Sequence, residues 1–469
     1  MKAFRFPSAY TILFLIIVFM AILTWIIPAG KYQVETNETL GREVPIAGTY
    51  SEVDPNPQGL EKILLAPISG FYDPDTYKAN GIDVALFILI IGGFLAVVTK
   101  TGAIDSGIAR VTAALKGREQ LLIPILMLLF SLGGTIYGMA EESLAFYPLI
   151  LPVMIAAGYD SVTAVSVILV GAGLGTLAST VNPFATVIAS DAAGVSFTSG
   201  MTLRFVIYFL GLGICIAYVM RYAAKVKADP TCSVVAEMHE SNREHFLSQR
   251  DESISSELTG SQKIILLLFL AAFGVMIYGV SVAGWWMARM SALFLVVSIL
   301  TAFIARMSEQ EFTDTFVDGA RDLLGVALVI GIARGIVTIM NDGMITDTIL
   351  YWAEQAVSGL SSVMFINVMY WIEIVLSFFV PSSSGLAVLS MPVMAPLADF
   401  SGVGRDLVVT AYQSANGIVN FVTPTSGVVM GALAMGRVSY ERWLKFIWPL
   451  LVIITVFLTI ALSIGAVIE

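Results

Sequence analysis

The stretch "GMAEESLAFYPLILPVM", residues 138–154, sets Glu141 and Glu142 side by side in an apolar run with no other formal charge from Gln120 to Tyr159. How the chain passes through it decides the fold. Either the run 120–158 is two ordinary membrane spans joined by a short loop, so that both acids face water, or it is a re-entrant hairpin whose tip stops halfway across the bilayer. From Leu144 to Ala157 there are 14 residues, interrupted by Pro148 and Pro152. As helix they would reach about 21 Å against a hydrocarbon core of roughly 30 Å. Length favours the hairpin. A second run, 362–398, has the same build, with "VPSSSG" (380–385) at its middle and Pro392 and Pro396 in the arm Leu386 to Ala398.

The rest of the chain is as apolar as these runs require. Of 469 residues, 57% are hydrophobic and 13% charged, where soluble domains hold about 25% charged residues. This composition predicts an all-α integral membrane protein. Apolar segments near the length of a span recur at 8–28, 82–100, 161–190, 201–221, 264–283, 287–305, 323–340, 404–434 and 444–467. That makes about nine full spans plus the two re-entrant hairpins. The net charge of −10 comes with scattered basic residues, so no nucleic-acid partner is expected. Two cysteines, Cys215 in a span and Cys232 in a polar loop, form no disulfide framework. Cys232, His239 and His245 match no metal-ligand spacing, and no metal or other cofactor is expected.

Lys and Arg concentrate on cytoplasmic flanks. With the N-terminus inside, 17 of the 25 fall on the cytoplasmic side. The acidic, turn-rich loop 30–80 then lies outside, where "GLEKILLAPISGF" from residue 59 reads as an amphipathic helix on the outer surface.

An internal repeat underlies the pattern. "LPVM" at 151 returns as "MPVM" at 391, "TVNP" at 180 as "FVTP" at 421, and "TLRF" at 202 as "WLKF" at 443, always 240 or 241 residues on. The segment from 84, "VALFILIIGGFLAVVTKTGAI", resembles that from 326, "VALVIGIARGIVTIMNDGMI". The charge bias runs the first copy outside to inside and the second inside to outside. The chain thus divides into a first half, 1–221, a cytoplasmic linker, 222–263, and an inverted second half, 264–469. Segments 103–117 and 344–358, one ahead of each hairpin, read as matched interfacial helices. Inverted repeats mark secondary transporters, with the substrate near the midplane where the copies meet.

The spans that follow the hairpins are interrupted too, by "STVNPFAT" (179–186) and "FVTPTSG" (421–427). Proline removes a backbone donor in each. Irregular backbone at that depth is tolerated where it is buried in protein or lines a cavity. Four broken elements converge, and their helix N-termini favour anions. Carboxylates in the membrane usually face a cavity and mark function, which applies to Glu141 and Glu142 and to Glu373 in the second hairpin's first arm. Arg334 is the one charge between Asp322 and Asp342. It either pairs with one of these acids to hold the bundle together or leaves the core acidic and suited to a cationic group. The opposite tip, Pro381 to Gly385, is neutral and rich in donors, so the two tips fit a ligand with a carboxylate at one end and a positive charge at the other: an amino acid, and a basic one uses the acidic tip best. Gln413, Asn416 and Asn420 share one helix face leading into the second break. A channel or an intramembrane enzyme are the rival classes; the sequence offers no Ser/His or metal constellation at depth for the latter.

The opening "FRFPSAYTILFLIIVFMAILTWIIPAGKY", the "GMAEES" and "PSSSG" tips and "NGIVNFVTPTSGVVMGALAMGRVSYERWLKF" together resemble the YfcC branch of the ion transporter superfamily, over essentially the whole chain. That branch is grouped with anaerobic four-carbon dicarboxylate carriers and includes arginine/ornithine-type exchangers. The resemblance implies a bacterial inner-membrane homodimer whose scaffold holds a mobile transport domain with elevator-type alternating access. By matching position it implies substrate contacts from Glu141, Glu142, Ser143, Asn182, Thr186, Ser383, Ser384, Asn420, Thr423 and Thr425. Sodium-coupled dicarboxylate relatives carry Ser-Asn-Thr at both tips. Here Glu142-Ser143-Leu144 and Ser383-Ser384-Gly385 stand in those places, a departure from the pattern that goes with sodium coupling and dicarboxylate binding. The expectation is a secondary transporter of basic amino acids, with an ion-coupled dicarboxylate carrier as the alternative and the coupling ion, Na+ or H+, left open.

Overall fold

The computed structural model describes residues 9–37, 42–46, 48–104, 106–107, 118–247, 259–281, 283, 285 and 287–468. The first helix, Ala9–Leu23 (α1), is shorter than the expected span 8–28. Beyond Leu23 the bonds tighten, Trp25 N donating to Ile22 O at 3.0 Å and Ile26 N to Leu23 O at 3.0 Å, and Pro28 cannot extend them. The segment after α1 then departs from an all-helical reading. Gly30–Lys31 (β1) pairs antiparallel with Ser51–Glu52 (β4), and Val34–Asn37 (β2) with Arg42–Pro45 (β3).

Leu60–Ser69 (α2) is the helix read as lying on the outer surface. It docks on Leu324–Asp342: a Cβ on Gly70 would come within 1.8 Å of Gly331 O, and one on Gly335 within 2.4 Å of Ala66 O. Small residues one turn apart let backbones meet in this way. Ile82–Lys100 (α3) is followed by Leu122–Tyr137 (α4), the 3-10 turn Glu141–Phe146, and Tyr147–Ala156 (α5). Next come Ser161–Leu177 (α6), a π-turn at Pro183–Val187, Ile188–Ala193 (α7) and the long Met201–Ala228 (α8). His239–Leu247 (α9) precedes Gly260–Ser281 (α10) and Met287–Ala305 (α11). The C-terminal part contains Glu309–Asp322 (α12), Leu324–Asp342 (α13), Thr346–Val357 (α14), Ser362–Phe379 (α15) and Ser383–Phe400 (α16). Arg405–Val419 (α17), Gly427–Met435 (α18) and Tyr440–Ile468 (α19) complete the chain.

The count of spans differs from nine plus two hairpins. Among the described residues, 7 helices are long and apolar enough to cross a membrane, or up to 8 if a bent pair counts as one. The arms α15 and α16 each qualify on length. At 18 residues, α16 extends about 27 Å, so the short-arm argument does not hold for the second run. The prolines do not stop it, since Pro392 and Pro396 lie inside α16 and Pro152 inside α5. Pro148 sits in the first turn of α5, where no N–H is needed. The first return arm is shorter, with 10 residues of α-helix after the 3-10 turn.

At the centre, α6 and α17 are buried along nearly their whole length. Arm α4 lies along α6 and arm α15 along α17. The first of these contacts is backbone on backbone, a Cβ on Gly175 coming within 2.1 Å of Ser131 O. Around α3, helix α12 crosses through facing glycines, Gly92 and Gly319, and Phe94 stacks on Phe269 at 5.6 Å. Exposed apolar side chains such as Leu267, Leu270, Phe303 and Trp448 cover the periphery.

Helix α14 stands within the segment 344–358; most of the matching segment, at 105 and 108–117, lies outside the described residues. The segment carrying β1 and β4 is clamped onto α14. The hydroxyl of Tyr32 donates to Glu354 at 2.6 Å, its backbone N–H donates to Asp347 at 3.1 Å, and Tyr50 stacks on Tyr351 at 4.2 Å. Burial and the two carboxylates push the Tyr32 phenol well above its ordinary range.

The 222–263 segment begins as structure rather than linker: α8 continues to Ala228, and the chain then folds back under the bundle. Asp160, only 2% exposed, is the hub. One oxygen accepts from Thr163 N at 2.8 Å and Thr163 Oγ1 at 2.6 Å, capping α6. The other accepts from Tyr222 at 2.7 Å and Ser233 at 2.6 Å. Arg442 reaches the same segment, donating to Val234 O at 2.8 Å and Glu237 at 2.5 Å. Asp160→Asn leaves at least one of these buried donors unmatched. It is expected to lower stability by about 2–3 kcal/mol, read as thermal unfolding in detergent. Wild-type melting in the variant would show that the hub is not formed.

Candidate functional site

The first tip is built from a helix end. α4 stops at Gly138, which takes the left-handed φ of 75° and whose N–H donates to Gly134 O at 3.1 Å. Only a residue without a Cβ fits, because one here would meet the Asn182 side chain at 2.6 Å. Asn182 opens the first break: its Oδ1 accepts from Phe184 N at 2.8 Å and Ala185 N at 3.1 Å, and its amide donates to Gly134 O at 3.3 Å. Thr180 N donates to Thr135 Oγ1 at 3.1 Å, so the break is stitched to the end of α4. Glu142, 4% exposed, accepts from Ala140 N at 3.1 Å. Ser143 is buried beside it and Glu141 half-buried.

The second break is stitched in the same manner. Thr423 and Thr425 share a hydrogen bond of 2.6 Å, and Thr425 Oγ1 donates to Phe378 O, near the end of α15, at 2.6 Å. Trp443 Nε1 donates to Phe421 O at 2.9 Å. At the second tip Ser382 caps α16 by accepting from Gly385 N at 3.2 Å, while Tyr412 OH donates to Ser383 O. Ser383 and Ser384 are half-buried.

The two broken elements meet through one side chain. Gln413 on α17 accepts from Thr186 Oγ1 at 3.0 Å and donates to Ser179 O at 2.9 Å, and Ser179 and Thr186 are hydrogen-bonded to each other. Further along the same face, Asn416 donates to Ser377 at 3.4 Å and Asn420 to Asn416 at 3.1 Å. Both broken elements have further partners: Glu141–Phe146 touches α18, and α16 touches α7 and the π-turn. Asn182 thus sits against Gly138 at the entry to the first tip, Thr423 and Thr425 are neighbours, and Thr186 is joined to the Asn420 face through Gln413. Gln413 and Tyr412 were not among the expected contacts; the polar stripe of α17 is the feature that points to Gln413. Gln413→Leu strands Ser179 O and Thr186 in the core. It is expected to cost about 1–3 kcal/mol of stability, and unchanged melting in detergent would refute the network.

Arg334 stands apart. Its Nη1 donates to Asn80 O at 3.0 Å, level with the start of α3. Among the described residues no ion pair engages Arg334, Glu141, Glu142 or Glu373, so the arginine–acid pairing weighed from the sequence is not made. Glu373 is fully buried in the second arm, away from the first tip. Among the described residues, no three His, Cys, Asp or Glu side chains converge as a metal site would.

A bundle of apolar helices with broken, polar-lined elements at its centre is a multi-pass membrane transporter. The model of the C4-dicarboxylate anaerobic carrier family matches residues 6–467, and the chain belongs to that family. It is 38% identical over 96% of its length, and 95% of the relative's, to an uncharacterized protein of Haemophilus influenzae. It is 31% identical to the "Putative basic amino acid antiporter YfcC" of Escherichia coli K12, over 95% of this chain and 93% of that one. Of solved structures, the YdaH transporter of Alcanivorax borkumensis aligns over 98% of both chains at 12% identity with a TM-score of 0.42. MtrF of Neisseria gonorrhoeae aligns over 98% of this chain and 95% of its own at 16% identity, also with a TM-score of 0.42.

Proposed function

We propose that the chain is a secondary active transporter of basic amino acids, working by exchange as a homodimer in the inner membrane with its N-terminus in the cytoplasm. Runs 120–158 and 362–398 act as re-entrant hairpins of two inverted halves, 1–221 and 264–469, and carry substrate across by an elevator movement. Two facts support the repeat: α3 and α13 are both 19 residues long, and each break is stitched to the end of the preceding hairpin arm. In the substrate site Glu141 and Glu142 receive the side-chain cation, with Ser143, Asn182 and Thr186 around them. Ser383, Ser384 and the Asn420, Thr423 and Thr425 break hold the carboxylate end.

The observation that carries this reading is Glu142, a carboxylate 4% exposed with no basic partner among the described residues. A buried charge needs a partner, and a guanidinium or ammonium supplies one. The family's description names C4-dicarboxylates, which makes a dicarboxylate the second reading; two acids at one tip oppose a dianion. Uptake into proteoliposomes, challenged with arginine, ornithine, lysine, succinate and malate, separates them. Competition by succinate and not by arginine would overturn the assignment. Counterflow stimulated by unlabelled substrate inside the vesicles distinguishes exchange from a pore.

A further inference from the structure

Glu373 is the acid that the substrate site does not use. It lies on α15 with no solvent exposure, and among the described residues neither carboxyl oxygen has a hydrogen-bond partner. Every element packed on α15 has been turned away from it. Ser390 of α16 is close enough to interact with Glu373, but its hydroxyl donates to Leu386 O at 3.0 Å. Tyr412 of α17, the titratable group facing Glu373 from that helix, donates to Ser383 O at the second tip. The buried face of α19 is apolar along Leu450, Ile454 and Leu458. The acids of α14, Asp347 and Glu354, hold Tyr32. On α15 itself Tyr370, three residues earlier, lies beside Thr455 of α19, and Arg334 is bonded elsewhere.

An ionised carboxylate with no donor and no cation, inside a membrane protein, carries a desolvation penalty that only neutralisation removes. A metal ion would need a shell of oxygens, and the two hydroxyls beside Glu373 already donate to carbonyls. A proton needs no shell. Tyr412 ties this pocket to the second tip through Ser383, so a movement of the tip is the movement that would admit water to Glu373. From this arrangement we infer that Glu373 is the proton-carrying residue of the transport cycle. It is protonated in the conformation described here, forming an O–H bond with a proton taken from the aqueous phase on one side. It returns that proton to water on the other side once α16 and the second tip move. The inference rests on the chain being a moving transporter and is independent of which substrate it carries.

The test has two arms, the first without substrate. Infrared difference spectra of the lipid-reconstituted full chain, recorded across a pH titration, should show the C=O stretch of a protonated carboxyl, and Glu373→Gln should remove it. Persistence of the whole band in the variant overturns the assignment. In the second arm, proteoliposomes are given a pH gradient and labelled arginine, with labelled succinate in parallel. Glu373→Gln should keep one-for-one exchange of the accepted substrate and lose gradient-driven accumulation, falling to the level seen without a gradient. Accumulation equal to wild type overturns the proposal. If neither substrate is accepted, the basic amino acid reading fails while the infrared arm still decides this one. Should Glu373→Gln not fold, Glu373→Asp replaces it: a shifted C=O band supports the assignment, and an unshifted one refutes it.

Discussion

Glu142→Gln is expected to abolish high-affinity binding of arginine while leaving the protein folded. The side chain is 4% exposed, and its Oε2 accepts from Ala140 N at 3.1 Å, closing the turn at the first tip. An amide oxygen can accept the same bond, so the turn survives; what goes is the negative charge. Removing one partner of a desolvated charge pair costs about 2–5 kcal/mol, equivalent to roughly 30-fold to several-thousand-fold in Kd. Glu141→Gln should cost less, because Glu141 is only half-buried and water screens what it contributes. The measurement is thermal stabilisation by arginine: a ligand at 100 times its Kd adds about 2.7 kcal/mol, which the wild type should show and Glu142→Gln should lose. Equal stabilisation of both would remove the acidic tip from the binding site. Stabilisation of the wild type by succinate alone would reassign the substrate.

What could be read from the sequence follows from what single helices declare by themselves. Residues 82–100 and 287–305 are helices with those bounds in the structure, because an uninterrupted apolar run has one outcome in a membrane. The breaks were legible for the same reason: α6 ends at Leu177 and α17 at Val419, just ahead of Asn182-Pro183 and Thr423-Pro424. Helix α12 was not legible. Its Glu309, Glu311, Asp314, Asp318 and Asp322 make it too charged for a span, and its packing on Gly92, Gly93 and Ala96 of α3 is what shows that it belongs to the bundle. The small sheets between α1 and α2 lie against α14, hundreds of residues away, to which Tyr32 and Tyr50 are fastened. Asp160 likewise reads as an ordinary helix cap until Tyr222 and Ser233 fold back onto it. Prolines misled in the arms and informed in the breaks. At Pro392 and Pro396 the helix continues through them, whereas at Asn182-Pro183 and Thr423-Pro424 neighbouring side chains supply bonds to the freed backbone.

The same centre yields the largest expected change in stability. Gly417 lies where α17 crosses the end of α6, and a Cβ there would fall 2.3 Å from Leu177 Cα and 2.7 Å from Leu177 N. Those are backbone atoms at the start of the first break, so no rotamer change relieves the clash. Neither helix can retreat, since both are buried on every side. Gly417→Ala is therefore expected to cost about 3 kcal/mol or more, at or beyond the upper range for overpacking, and to lower transport by prising the two breaks apart. Gly213, in the middle of α8, is the control, because a Cβ there meets nothing within 4 Å. Gly213→Ala should be neutral or slightly stabilising, given alanine's higher helix propensity. Thermal unfolding of the two variants in one detergent compares them directly. If Gly417→Ala melts with Gly213→Ala, then α6 and α17 do not cross as closely as described, and the convergence of the two breaks on Gln413 loses its support.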